Sequence, residues 1–188
     1  MKSLFSLLMV FALVFLASCK DETKNPETTS DAPVKEVSTK RQGQAFIKDD
    51  ESRPTVLSIA INSPDHTTLV AAVQAAELEN VLVNAGPLMV FAPTNEAFGA
   101  LPEGTVEDLL KPENKSQLAF ILKHHVTPGN YSKDFLKKFK SLGQASNLNI
   151  PVEVIGDDVY VGGAKILASI PAGNGIVHVV DKVILPEN

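Results

Sequence analysis

The residues of this 188-residue chain that could do chemistry are few: one cysteine, Cys19, four histidines and short runs of carboxylates. A lone thiol can accept an acyl group, but it leaves no pair for a disulfide or a thiolate metal site, so stability must come from packing. His124 and His125 are neighbours at a helix end, where side chains project about 100° apart, and only an i, i+4 pair would clamp one metal. On that geometry His125 packs or caps and His124 faces solvent. His178 alternates with Ile176 and Val180 on its own side of a strand, which aims it at the core as a neutral imidazole donating to a backbone carbonyl. Asp181 falls on the opposite face, so the two form no dyad, and Asp181 reads as a structural carboxylate. Glu107-Asp108 and Asp157-Asp158 are explained by a helix start and a hairpin turn more simply than by acid/base catalysis. There is no Gly-x-Ser-x-Gly elbow and no phosphate-cradling glycine loop. The chain is therefore expected to be no enzyme and to carry no cofactor and no metal.

Cys19 ends the tetrad Leu16-Ala17-Ser18-Cys19, after Lys2 and an apolar run over residues 4–16. That run is too short to span a bilayer and reads as a secretory signal peptide over residues 1–18. The tetrad resembles the lipobox of bacterial lipoproteins, which implies cleavage before Cys19, a diacylglyceryl group on its thiol and acylation of its amine. Two or three chains on one residue make a stable anchor where one would not. The expected partner of Cys19 is thus a membrane, and the expected location is the cell envelope, at the outer membrane, with outward-facing and periplasmic orientations both open.

Removing the signal leaves about 170 residues, enough for one domain with a real core and a tail. The formal net charge of −5 argues against nucleic acid, since no Lys/Arg face is available to neutralise phosphates. The run Lys137-Lys138, with Lys133 and Lys140 nearby, reads as a solvated helix face. Residues 19–52 mix charged residues with Thr, Ser and Pro around isolated Val34, Val37, Phe46 and Ile47. Such a segment cannot bury enough apolar surface to offset its ordering entropy, and it reads as a stalk of roughly 30 Å root-mean-square span. Lys20-Asp21-Glu22 resembles the charged tripeptides that direct some envelope lipoproteins to the surface.

The elements that must position these residues follow over 53–188. Residues 55–61 and a stretch from Thr67 through Leu69, Val70, Val73 and Ala76 keep helical spacing, and a short helix through Leu78, Val81 and Leu82 ends at Gly86. Leu88-Met89-Val90-Phe91 reads as a buried strand stopped by Pro93, with a helix starting at Thr94 or Asn95. Thr105 and Asp108 suggest a capping box, and Pro112 is expected to open the longest helix, through Leu118, Ile121 and Leu122 to Pro128-Gly129. Beyond Ser141 the period becomes alternating. Val152 and Val154, then Val159 and Val161, flank Gly156-Asp157-Asp158 as a hairpin, and residues 166–170, 176–180 and 183–185 read as further strands. A helical half followed by a strand-rich half is an α+β domain.

The segment Val90-Phe91-Ala92-Pro93-Thr94-Asn95-Glu96-Ala97-Phe98 resembles the first conserved motif of fasciclin-like (FAS1) domains. Asn174-Gly175-Ile176-Val177-His178-Val179-Val180-Asp181-Lys182-Val183-Ile184-Leu185-Pro186 resembles the second. Between them Leu122-Lys123-His124-His125-Val126-Thr127-Pro128-Gly129 is similar to the family's central Tyr-His segment, with His124 where the tyrosine usually stands. An adhesive role of that Tyr-His pair therefore does not carry over intact. The resemblance implies a wedge of short β-strands packed with several helices, used outside the cell for adhesion or matrix contact. It assigns structural roles to Phe91, Pro93, Thr94, Phe98, Gly175, His178, Asp181 and Pro186. Asn95, Glu96, His124, His125 and Tyr131 become candidate partner-contacting residues. For Asn95 and Glu96 the residues themselves favour a structural role, their polar side chains satisfying free N–H groups at a helix head.

The expectation is a lipid-anchored envelope protein, monomeric in its domain, that binds a surface protein or polysaccharide without catalysis. An apolar-ligand carrier and an envelope-structural lipoprotein are the alternatives, the former suggested by many aliphatics and few aromatics. Proteolysis of intact cells decides the orientation: domain peptides freed while the acylated Cys19 stub stays with the cells, as read by mass spectrometry, mean that the domain faces outward. Protection until the envelope is opened would instead place the domain in the periplasm.

Overall fold

Apolar periodicity becomes packed helices on one side of a sheet and a strand wedge on the other. The computed structural model describes residues 53–84 and 86–186; the signal segment, Cys19 and the stalk through Ser52 lie outside the described residues. Helix α1 (Val56–Ile61) starts where the Thr55 hydroxyl accepts the Ser58 N–H, and it buries Val56, Leu57 and Ala60. A 3₁₀ turn at Pro64–His66 leads into α2 (Thr67–Ala75), followed by α3 (Glu79–Asn84). Strand β1 (Leu88–Pro93) runs into α4 (Asn95–Gly99), whose Thr94 cap accepts the Ala97 N–H. Then come α5 (Thr105–Leu109), α6 (Lys115–His124), β2 (Val126–Pro128) and α7 (Lys133–Leu136). Strands β3 (Ser141–Gly143), β4 (Asn149–Ile155), β5 (Asp158–Val161), β6 (Ala164–Ala172) and β7 (Gly175–Val180) complete the domain.

The strands form a seven-stranded sheet in the order β2-β1-β7-β6-β5-β4-β3. β1 and β7 pair in parallel, Leu88 opposite Gly175 through Pro93 opposite Val180, and the other neighbours are antiparallel. The two ends of that order meet. The Ala145 N–H donates to the Val126 carbonyl at 2.7 Å, and the Thr127 hydroxyl donates to Gln144 at 3.0 Å, so the sheet curls and hides its edges. Period-two alternation in β1 and β7 then serves two cores. Met89, Phe91, Ile176 and Val180 point into the wedge with Val159, Val161 and Ile166, while Ala92 and Val177 face Leu57, Leu69, Val73, Leu118 and Leu122 on the helical side. Among the described residues no helix is long and apolar enough to cross a membrane.

The α+β class, the β4–β5 hairpin and the helix after Pro93 agree with the sequence pattern, and four expectations need correction. The Thr105 capping box does not form: Gly104, at φ 80°, is the cap residue, with no side-chain bond. The helix expected from Pro112 begins at Lys115 after a 3₁₀ turn and stops at His124, because residues 126–128 leave it to pair with β1. Residues 183–185 are not a strand; the chain turns out of the sheet at Asp181, and Ile184 is buried with its N–H on a side chain. The lysine run is only partly a solvated helix face, since Lys133 reaches back to the Ile166 carbonyl at 3.4 Å and toward Asp158 at 3.9 Å.

Gly175 is where the parallel pair is tightest: a Cβ there would lie 1.8 Å from the Leu88 carbonyl oxygen. Gly175→Ala is expected to cost about 3 kcal/mol or more, read as a fall in the urea midpoint. Gly156→Ala, at φ 62° but in open space, should cost only about 1 kcal/mol.

Candidate functional site

The histidines are all inside the domain, and their nitrogens are used as fasteners. His125 accepts the Ile184 N–H on Nε2 at 2.9 Å, so its proton sits on Nδ1 and is donated to the Ile121 carbonyl at 2.8 Å. His178 stacks on Phe91, donates from Nε2 to the Tyr131 carbonyl at 3.0 Å and accepts the Ser169 hydroxyl on Nδ1 at 2.7 Å. His124 shares a 2.9 Å hydrogen bond with the Ser146 hydroxyl, and His66 shares one of 2.7 Å with Ser63. The Nε2 of His66 is buried near the Ala92 carbonyl without a hydrogen bond to it. Burial lowers the pKa of each, for His125 to about 4. At His178 the Tyr131 carbonyl opposes that shift, and the Lys133 ammonium adds to it.

Beside His125 is a cavity of about 190 Å³ between α1, α2, α3, α6 and β1. Its wall is aliphatic, including Leu57, Leu69, Val73, Leu82, Val90 and Leu122, and its rim carries the exposed Val81 and Lys123. Both nitrogens of His125, which also lines it, are already bonded. On the wedge side Tyr131, Phe135 and Phe139 form a ring cluster with centroids 5.2–5.5 Å apart. Phe135 is 42% exposed, with the Lys138 ammonium 5.0 Å from its ring centre. Among the described residues no three His, Cys, Asp or Glu side chains converge where a metal ion could sit.

A model of the fasciclin domain matches residues 64–186. The chain belongs to the fasciclin domain family. It is 43% identical over 137 residues to protein sll1483 of Synechocystis sp., covering 72% of this chain and 76% of that protein. It is 31% identical over 140 residues to immunogenic protein MPB70 of Mycobacterium bovis, covering 72% and 70%. Transforming growth factor-beta-induced protein ig-h3 of Sus scrofa is 37% identical over 158 residues, 78% of this chain but 22% of that protein. A solved FAS1 domain pair from the insect cell adhesion molecule fasciclin I superposes with a TM-score of 0.63 at 18% identity, covering 71% of this chain and 51% of that one.

The two fasciclin motifs lie side by side as β1 with the start of α4, and β7 with its tail. Of the candidate partner-contacting residues, the structure leaves Glu96 exposed and Tyr131 half-buried in the ring cluster. Asn95 is taken up internally: its Oδ1 accepts the Thr68 N–H at 3.0 Å and its Nδ2 donates to the Pro64 carbonyl at 2.9 Å, tying α2 to α4. His124 and His125 are each 3% exposed, so the expectation that His124 faces solvent is corrected. The loop at Ser146 supplies a partner that draws its ring inward. Asp181 accepts the Lys165 N–H at 2.8 Å. Residue spacing had not singled out His66, Ser146 or Asn174. Asn174 accepts the Val56 N–H and donates to the Leu82 carbonyl, with Asn-Gly at a strand start as its available signal.

Because folding depresses the histidine pKa values, the unfolded chain binds more protons below its own pKa near 6.5. This stability is complete above about pH 6.5 and is lost as pH falls toward 4, His125 alone contributing on the order of 3 kcal/mol. Urea unfolding between pH 7.5 and 4 should show that decline. His125→Gln should be less stable at pH 7.5 yet have a flatter slope through the window.

Proposed function

We propose that this chain is a non-catalytic binding module, held at the cell envelope by lipid on Cys19 and presenting one fasciclin domain to a surface protein or polysaccharide. The observation that carries the reading is the exposed ring cluster at α7. Phe135 and the half-buried Tyr131 offer aromatic contact area, and the Lys138 ammonium adds positive charge over the Phe135 ring. Aromatic anchors with cations around them are the side chains that dominate binding energy at protein interfaces. The membership of a similar domain pair in an insect cell adhesion molecule supports the same direction.

Phe135→Ala together with Lys138→Glu is expected to weaken binding of the protein to whole cells or envelope polymer by at least tenfold, or about 1.4 kcal/mol. The unfolding free energy should fall by no more than about 1–2 kcal/mol, the loss of the Phe135 ring contacts with Tyr131 and Phe139, so the domain stays folded in the binding assay. Glu96→Ala should leave binding unchanged. Equal binding by the double variant, Glu96→Ala and the unsubstituted protein would remove α7 as the contact face, and no binding to any surface component would remove the reading.

The cavity favours a second reading, in which the domain carries a small apolar molecule. A dry aliphatic cavity of about 150 Å³ is enough to hold benzene, and this one is somewhat larger. Native mass spectrometry of the extracted protein should then find a bound molecule.

A further inference from the structure

We propose that the cavity takes a medium-chain carboxylate, its tail in the aliphatic interior and its head on Lys123; this rests on the carrier reading above. Apart from Lys123 at the mouth, the polar side chain of the lining is His125, and both its nitrogens are committed, to Ile121 and Ile184, so a hydroxyl or amide inserted into the interior would be buried unpaired. The buried part of the occupant must therefore be hydrocarbon.

Its size is bounded by the volume. Scaling from a cavity of about 150 Å³ that holds benzene gives room for about eight carbon atoms, which excludes two-chain lipids and bulky ring systems. Its charge is set by the rim. The other lysine of α6, Lys115, is bound to Glu77 at 2.5 Å, while Lys111 is bound to Asp108 and Lys137 to Asp134. Lys123 lines the mouth, is exposed, and has no ion pair among the described residues. A tail entering from that mouth leaves its head beside one unpaired ammonium, which matches a single negative charge. A cationic or neutral head gains nothing there.

The test uses the full chain carrying Cys19→Ser, titrated calorimetrically with octanoate, octanol and octylamine at low salt. One-to-one binding is expected, with octanoate about two- to fivefold tighter than octanol, as an exposed ion pair allows, and octylamine weakest. Lys123→Met, a surface change whose unfolding midpoint should not move, removes the advantage of octanoate, as does added salt. Each methylene removed from octanoate should weaken binding about fourfold, and chains longer than nonanoate, whose tail of about eight carbons fills the cavity, should add nothing. Methyl NMR shifts at Val73 and Leu82 are expected on adding octanol. Equal affinities for octanoate and octanol, or an advantage that survives Lys123→Met, overturn the head-group assignment while the carrier reading stands. Shifts confined to other parts of the domain overturn the site. No binding by any of the three probes overturns the proposal and the carrier reading together.

Discussion

The parallel pairing of β1 with β7 is the constraint on which the rest of the domain depends. Parallel neighbours cannot be joined by a tight turn, so everything from α4 to β6 is the crossover between them. Both faces of the pair must be covered, and the alternating residues divide accordingly between the wedge and the helices. The approach of Leu88 to Gly175 sets the register at one end, and the Thr94 N–H on the Val180 carbonyl sets it at the other. Asn174, just before Gly175, then ties α1 and α3 to the same corner through its amide. A one-residue slip of β1 would send Phe91 to the helical side, away from His178, and lose the Thr94–Val180 bond.

Around this pair the buried histidines work as fasteners between segments remote in sequence. His178 joins β7 to β6 through Ser169 and to the start of the α7 region through Tyr131. His125 joins the end of α6 to the C-terminal tail, seating Ile184 in the wedge core although residues 183–185 form no strand. An imidazole suits this work because the neutral ring is at once donor and acceptor, which one buried position needs in order to bind a carbonyl and an N–H together. The same arrangement opposes protonation, since a second ring proton would face the Ile184 N–H in an apolar setting. The motif histidines are thus explained by packing, and partner contact has to be sought elsewhere on the surface.

How much of this was legible in the sequence depended on range. Alternation at Val152, Val154, Val159 and Val161 exposed the β4–β5 hairpin, and the apolar run before Pro93 exposed β1, because each pattern is local. β2, β3 and α7 are three or four residues long, too short to carry a period; β2 and β3 exist because a neighbouring strand supplies their hydrogen bonds, and α7 is a single turn held by its own Ser132 cap. The burial of His124 was hidden for a similar reason: its partner Ser146 lies on a loop that only the curled sheet brings close. The cavity was legible only as a surplus of aliphatic residues. Its position follows from α3, which leaves Val81 55% exposed and Leu82 half-buried at the mouth instead of closing it.

The cavity and the ring cluster occupy different halves of the domain. Leu57, Leu69 and Val73 belong to the helical core, whereas Tyr131 and Phe139 pack on the wedge core, and the β1/β7 pair stands between the two. A molecule in the cavity therefore does not compete for space with a partner at α7. His125 nevertheless belongs to both halves, lining the cavity with its ring while its Nε2 holds Ile184 in the wedge. An occupant that packs against that ring keeps water from it and favours its neutral form, the form that accepts the Ile184 N–H. His125 is thus the side chain through which filling the cavity and fastening the tail are coupled, both requiring its neutral ring.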